Sequence, residues 1–85
     1  MNTYAVAPGG RVLWCLRRSL ADVRCVIFPK TRPVEVRVLQ DRDLVLKETF
    51  ASEDAALVWA REYGERLRHQ GWRQASADCS PSSAA

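Results

Sequence analysis

The segment between Ser52 and Trp72 carries the signals of an α-helix from start to stop, and it constrains the fold more than any other part of the chain. Ser52 is a good N-cap, and Glu53 and Asp54 place negative charge in the first turn. Gly71 suits the left-handed conformation that ends a helix, and Trp72 falls where an apolar residue packs back onto the last turn. Between these ends, apolar residues recur at the spacing of one buried stripe: Ala56, Trp59, Ala60, Tyr63 and Leu67.

Four upstream segments are rich in β-branched and aromatic residues or alternate apolar with polar residues, as strands do. They are residues 11–18, 23–28, 34–39 and 44–50. Pro29 and Pro33 interrupt the ladder between the second and third segments, because proline has no N–H to donate. The pattern predicts an α+β fold, a four-stranded antiparallel β-meander followed by one C-terminal α-helix packed on one face of the sheet.

The chain has 85 residues, which is enough for one domain. We expect a flexible N-terminal lead-in at 1–10, a single α+β domain at 11–73, and a disordered tail at 74–85, where small and polar residues cannot build a core. A chain this short buries a modest share of its surface. Dimer formation is one way to add to its stability.

Composition excludes several classes of protein. Hydrophobic residues make up 47% and charged residues 27%, which is typical of a soluble globular domain. No stretch approaches the roughly 20 apolar residues of a membrane span, and the N-terminus lacks the features of a secretory signal. We therefore expect a cytoplasmic protein with no membrane partner. The net charge of +3 is compatible with a polyanion partner without requiring one.

The register of the first hairpin follows from its turn. A two-residue turn at 20–21 pairs Leu16 with Cys25. It also sets Arg17 opposite Arg24, a repulsive pair unless an anion or an acidic partner neutralises it or both side chains extend into water.

In the second hairpin, a turn over 40–43 places Val38 opposite Leu44 and Glu35 opposite Lys47. Apolar side chains then meet on one face and opposite charges on the other.

These registers divide the sheet into two faces. The helix is predicted to cover Trp14, Leu16, Ile27, Val36, Val38, Leu44 and Leu46. The opposite face is predicted to display a mixture of apolar and cationic side chains: Leu13, Cys15, Arg17, Arg24, Val26, Phe28, Arg37, Val45 and Lys47. A solvated face is mostly polar, so this mixture favours a contact surface over an unspecialised one.

The sequence predicts neither catalysis nor a bound cofactor or metal. Its three cysteines are an odd number, and their spacing matches no zinc site, so we expect reduced thiols and no disulfide framework. Cys15 is predicted to face outward, Cys25 to lie beneath the helix, and Cys79 to be free in the tail. Nothing near Cys15 is placed to act as its base, and His69 stands at the end of the helix, where it suits the dipole.

Two segments, Phe50-Ala51-Ser52 through Ala56 and Leu67 through Gly71-Trp72, resemble the strand-to-helix ending of WGR-type domains, small modules of which some contact DNA in larger proteins. The order of elements also resembles the ββββα repeat of PUR-type single-strand binders. The Trp-Gly-Arg sequence that names the first family is absent, so no functional residue carries over. We assign the chain to no family on this basis.

Two functions remain as hypotheses. The first is a small non-enzymatic interaction module that forms a homodimer or binds a protein partner through the open sheet face. The alternative is binding of single-stranded nucleic acid by the same face, with Phe28 stacking on a base and Arg17, Arg24, Arg37 and Lys47 holding phosphates.

Overall fold

The computed structural model describes residues 9–74, and within them it confirms the predicted α+β fold. The elements are β1 (Arg11–Arg18), β2 (Ala21–Phe28), β3 (Val34–Gln40), β4 (Asp43–Phe50), α1 (Glu53–His69) and β5 (Arg73–Gln74). The sheet is antiparallel, in the order β4-β3-β2-β1-β5. The two-residue strand β5 was not predicted. Most of the expected lead-in and tail lies outside the described residues.

Both ends of α1 are capped as predicted. The Ser52 hydroxyl accepts a hydrogen bond from the Ala55 amide at 3.2 Å. At the other end Gly71 has a φ of 99°, and the Trp72 amide donates to the Leu67 carbonyl at 3.1 Å. This pattern is the Schellman motif, and it satisfies carbonyls that the end of a helix leaves without partners.

The core lies between α1 and the sheet face beneath it, called here the inner face. Leu16, Ile27, Val36 and Val38 are completely or almost completely inaccessible to solvent, as their predicted positions require. The helix contributes its buried residues Ala56, Ala60 and Gly64. Larger side chains fill the margins of the same core while remaining partly exposed: Trp14, Leu46, Trp59, Tyr63 and Leu67.

The predicted register of the first hairpin is wrong by two residues. The turn consists of Ser19 and Leu20, and Leu16 pairs with Val23. Arg17 therefore lies opposite Asp22, to which it donates at 2.6 Å, and not opposite Arg24. An opposite-charge pair replaces the repulsive pair, which is the physical reason for preferring this register. A slip of two residues leaves most side chains on their predicted face.

The second hairpin also differs from the prediction, because its turn is shorter. Asp41 and Arg42 both have positive φ, as a two-residue hairpin turn requires. Asp41 additionally accepts from the Asp22 amide at 2.9 Å, tying this turn to β2. The pairing is Val38 with Leu46, and a bulge follows.

Leu44 leaves the inner face as a consequence of that bulge. It pairs with Leu39, which lies on the opposite face, and 53% of it is exposed. The prediction that α1 covers Leu44 is therefore wrong. Arg37, and not Glu35, is the residue opposite Lys47. A bulge inserts one residue into a strand, so it changes the face of every position on one side of it.

Candidate interaction surface

The sheet face turned away from α1, called here the outer face, holds the predicted contact residues in rows that cross the strands. Its register partners run Cys15–Arg24–Leu39–Leu44, then Val12–Val26–Arg37–Lys47, then Phe28–Glu35–Thr49. The structure thus brings together most of the residues that the sequence assigned to this face.

Leu13 does not belong to the outer face, contrary to the prediction. A register shift between Val12 and Trp14 makes Leu13 the extra residue of β1. Leu13 packs against the core, and Val12 lies opposite Val26 in its place. Strict alternation along β1 could not have shown this, because a bulge breaks the period of two.

The centre of the outer face is less open than the sequence predicted. Cys15, Val26 and Phe28 are only 4%, 3% and 7% exposed. The Arg37 guanidinium lies 4.6 Å from the centroid of the Phe28 ring, a cation–π contact that covers this aromatic side chain. These apolar groups are therefore part of the folded structure and do not offer a broad free surface.

The three arginines on this face are also engaged. Arg17 forms its ion pair with Asp22, and Arg37 forms one with Glu35. Arg24 has further interactions of its own. These contacts neutralise part of the positive charge that the sequence placed here, and they hold side chains that would otherwise be free to meet phosphates.

Two exposed large apolar residues lie next to each other on β4, whereas the others among residues 9–74, Leu20 and Val58, lie in the β1–β2 turn and on α1. Leu44 is 53% exposed and Val45, the extra residue of the bulge, is 52% exposed. Leu39 beside them is partly buried, and Lys47 is exposed. We call Leu39, Leu44, Val45 and Lys47 the β4 patch. It lies along an edge of the sheet, since β3 is the one strand that pairs with β4 among residues 9–74.

The thiols follow the prediction in part. Cys25 is free and completely buried on the inner face, and burial raises the pKa of its thiol to about 12 because the charged thiolate is poorly solvated there. Cys15 is disulfide-bonded, so the expectation that it is a reduced thiol is wrong. The prediction for Cys79 falls outside the described residues.

A cleft of about 490 Å³ separates β1 and β5 from α1. We call it the β1 cleft. Trp14 lies in its floor, and its indole N–H donates to the Ala60 carbonyl at 2.9 Å. A Cβ atom on Gly64 would come within 3.0 Å of the Trp14 Nε1. Sequence reasoning missed Gly64, although a glycine inside a helical pattern is a signal of such close packing.

No helix in the described part of the chain is both long enough and apolar enough to span a membrane. Across residues 9–74, His, Cys, Asp and Glu side chains do not gather in threes as a metal site would require.

Comparison with known proteins gives no family to which the chain can be assigned. No family model, no curated protein and no solved structure matches it.

Proposed function

We propose that the chain is a small non-enzymatic interaction module that self-associates through the β4 side of its outer face. The observation that carries this proposal is the clustering of two half-exposed apolar residues, Leu44 and Val45, on an edge strand. Scattered apolar residues are normal on a protein surface, but adjacent ones beside unpaired backbone groups favour association.

A second copy of the chain is the partner that fits this strand best. A twofold interface brings the same surface of both copies together, so it must be complementary to itself. On the outer face of strand β4, the apolar Leu44 lies three residues from Lys47. A twofold contact can therefore pack the apolar residues of both copies together while each Lys47 stays at the margin, in water.

The same geometry gives less support to binding of single-stranded nucleic acid. Base stacking needs an accessible ring, and Phe28 is 7% exposed beneath Arg37. Arg17 and Arg37 are paired with carboxylates. Fluorescence anisotropy with a labelled oligonucleotide at low salt tests this alternative, and tight, steeply salt-dependent binding would favour it over self-association.

Light scattering at micromolar concentration tests the proposal, with about twice the chain mass as the expected result. Val45→Lys should restore the mass of a single chain. Val58→Lys is the matched control, because Val58 is 44% exposed and belongs to α1 instead of the sheet, and this variant should remain a dimer. A monomeric wild type, or equal dissociation by both variants, would contradict the proposal.

The cytoplasm was the compartment expected from the sequence, and it remains part of the proposal. The disulfide at Cys15 counts against it, because disulfides are rare where thiols are kept reduced. Counting free thiols in protein isolated under alkylating conditions decides the matter. A reduced Cys15 would support the cytoplasm, and an oxidised one would favour an oxidising compartment.

A further inference from the structure

The second edge of the sheet is only partly occupied. Strand β5 pairs with β1 at Leu16 and Arg17. On the same side of β1, no strand among residues 9–74 pairs with the stretch from Arg11 to Trp14. Backbone groups on such an edge can form a ladder with an added strand.

The β1 cleft lies directly above this free edge. Its floor is apolar, formed in part by Leu13, Trp14 and Leu57. Its charged lining residues are Arg61, Glu65 and Arg68, which leave one net positive charge. Within residues 9–74, Arg61 has no ion-pair partner. The cleft therefore combines apolar surface with an uncompensated cation.

Strand β5 shows how an added strand would present its side chains to this cleft. Gln74 lies opposite Leu16 and so shares the inner face with it. Its side-chain oxygen accepts from the Arg68 guanidinium at 2.9 Å. Side chains alternate along a strand, so the second residue beyond this position would again face α1, now opposite Trp14.

The helix runs alongside β1, so the next contact can be placed. Arg11 pairs with Glu53 at 3.3 Å near the start of α1, and Arg18 donates to the Gln70 carbonyl at 2.8 Å at its end. Trp14 meets Ala60 between them. A residue opposite Trp14 therefore lies level with Arg61, just as Gln74 lies level with Arg68.

We propose that the free edge of β1 and the β1 cleft bind an extended acidic segment of a partner protein, which adds as a strand in line with β5. An acidic side chain opposite Trp14 pairs with Arg61. Two residues further along, a large apolar side chain enters the cleft toward Leu13 and Leu57. The recognised pattern is acid-x-apolar, and backbone pairing supplies the rest of the contact.

The chain's own sequence after β5 fits this pattern poorly. The residues that follow Gln74 are Ala, Ser and Ala, and the first acid is Asp78. Small side chains would leave a cleft of about 490 Å³ unfilled. A partner segment is therefore the better occupant, and the chain's own tail is an outcome that the experiment must distinguish.

The test uses the full chain and the peptide acetyl-Thr-Glu-Thr-Leu-Thr-Gly-Lys-amide, labelled with fluorescein on its lysine amine, with anisotropy read at low salt. Arg61→Glu should weaken binding at least tenfold, about 1.4 kcal/mol, and a peptide with Lys in place of Glu should recover it. Arg66→Glu, a charge reversal on the same helix outside the cleft lining, should leave the affinity within about twofold of wild type, since exposed changes away from a site have small effects.

Several results would overturn the proposal: no saturable binding at about 1 mM peptide, equal binding by both arginine variants, or equal binding of a peptide in which Glu and Leu are exchanged. Nuclear Overhauser contacts between residues 75–78 and β1 in the free chain would assign the edge to the chain's own tail instead. Because this site lies at the opposite edge from the β4 patch, its failure would leave the chain mass in light scattering unchanged.

Discussion

The two faces of the sheet use the same strands and similar residues for different ends. On the inner face Leu16, Ile27 and Val36 have no solvent exposure, because α1 covers them. The outer face has buried apolar residues at its centre, yet at β4 it leaves Leu44 and Val45 about half exposed. The difference shows that apolar alternation along a strand does not by itself distinguish residues that stabilise the fold from residues that are exposed for association. The covering element decides which role a residue has.

The largest expected effect contrasts these two faces directly. Ile27→Ala should lower the free energy of unfolding by about 2–5 kcal/mol, because it removes buried methyl groups and leaves a cavity. Leu44→Ala should change it by no more than about 0.5 kcal/mol in the monomer, because its side chain is half exposed. Urea unfolding at a concentration where the chain is monomeric measures both. Equal losses would mean that the outer face belongs to the core.

The pH dependence of the free energy of unfolding should reveal the burial of Cys25 on the inner face. The pKa of Cys25 is raised in the folded state to about 12 from an ordinary value of 9.0. The stabilisation of the folded state by the neutral Cys25 thiol is therefore fully present below pH 9 and is lost as the pH rises toward 12. The expected slope is about 1.4 kcal/mol per pH unit over this range.

Cys25→Ala should remove this slope even if it lowers stability at neutral pH. Urea unfolding of both proteins between pH 8 and 10 provides the comparison. Equal slopes above pH 9 would show that Cys25 does not sit in the buried environment described for the inner face.

A smaller effect tests the contact between α1 and β1. Gly64→Ala would stabilise an exposed helix by about 1 kcal/mol, but the added Cβ here lies 3.0 Å from the Trp14 Nε1. We expect a net loss of about 1 kcal/mol instead, since overpacking forces neighbours to move. Combining it with Trp14→Phe should relieve part of this loss in thermal unfolding. A stabilised single variant would refute the close contact.

The smallest expected effect concerns the far end of the helix. Arg18 donates to the Gln70 carbonyl and lies 5.1 Å from the Trp72 ring centroid. Arg18→Gln keeps a hydrogen-bond donor but removes the charge, so it should cost about 0.5–1 kcal/mol, the range of an exposed cation–π contact. Lys30→Gln, in the exposed loop between β2 and β3, provides a comparison away from the helix. An Arg18→Gln variant as stable as wild type would show that this contact does not hold α1 to the sheet.

The sequence was sufficient to predict those features of the structure that depend on neighbouring residues along the chain. The caps at Ser52 and Gly71 and the four strands of the meander could be predicted because their signals are local. The prediction of strand register failed because register depends on turn conformation and bulges, which cannot be identified from any single residue. The result was that Leu13 and Leu44 each moved to the other face.

The candidate site was predicted less well than the fold, for a related reason. Alternation along β2 correctly predicted that Val26 and Phe28 lie on the outer face, but it did not predict that they are buried there. Arg37 covers Phe28 through a contact between strands, and it also forms an ion pair with Glu35 on its own strand. The β1 cleft depends on Gly64 approaching Trp14 across two elements, a distance that composition cannot reveal.

Hydrogen exchange at two protein concentrations tests the central claim most directly, because it locates the surface that association covers. We predict that amides of β4 (Asp43–Phe50) exchange more slowly at high concentration, while those of α1 do not change. Val45→Lys should abolish the difference. Concentration-independent exchange in β4, or slowing confined to α1, would contradict the assignment of the β4 patch as the surface of self-association.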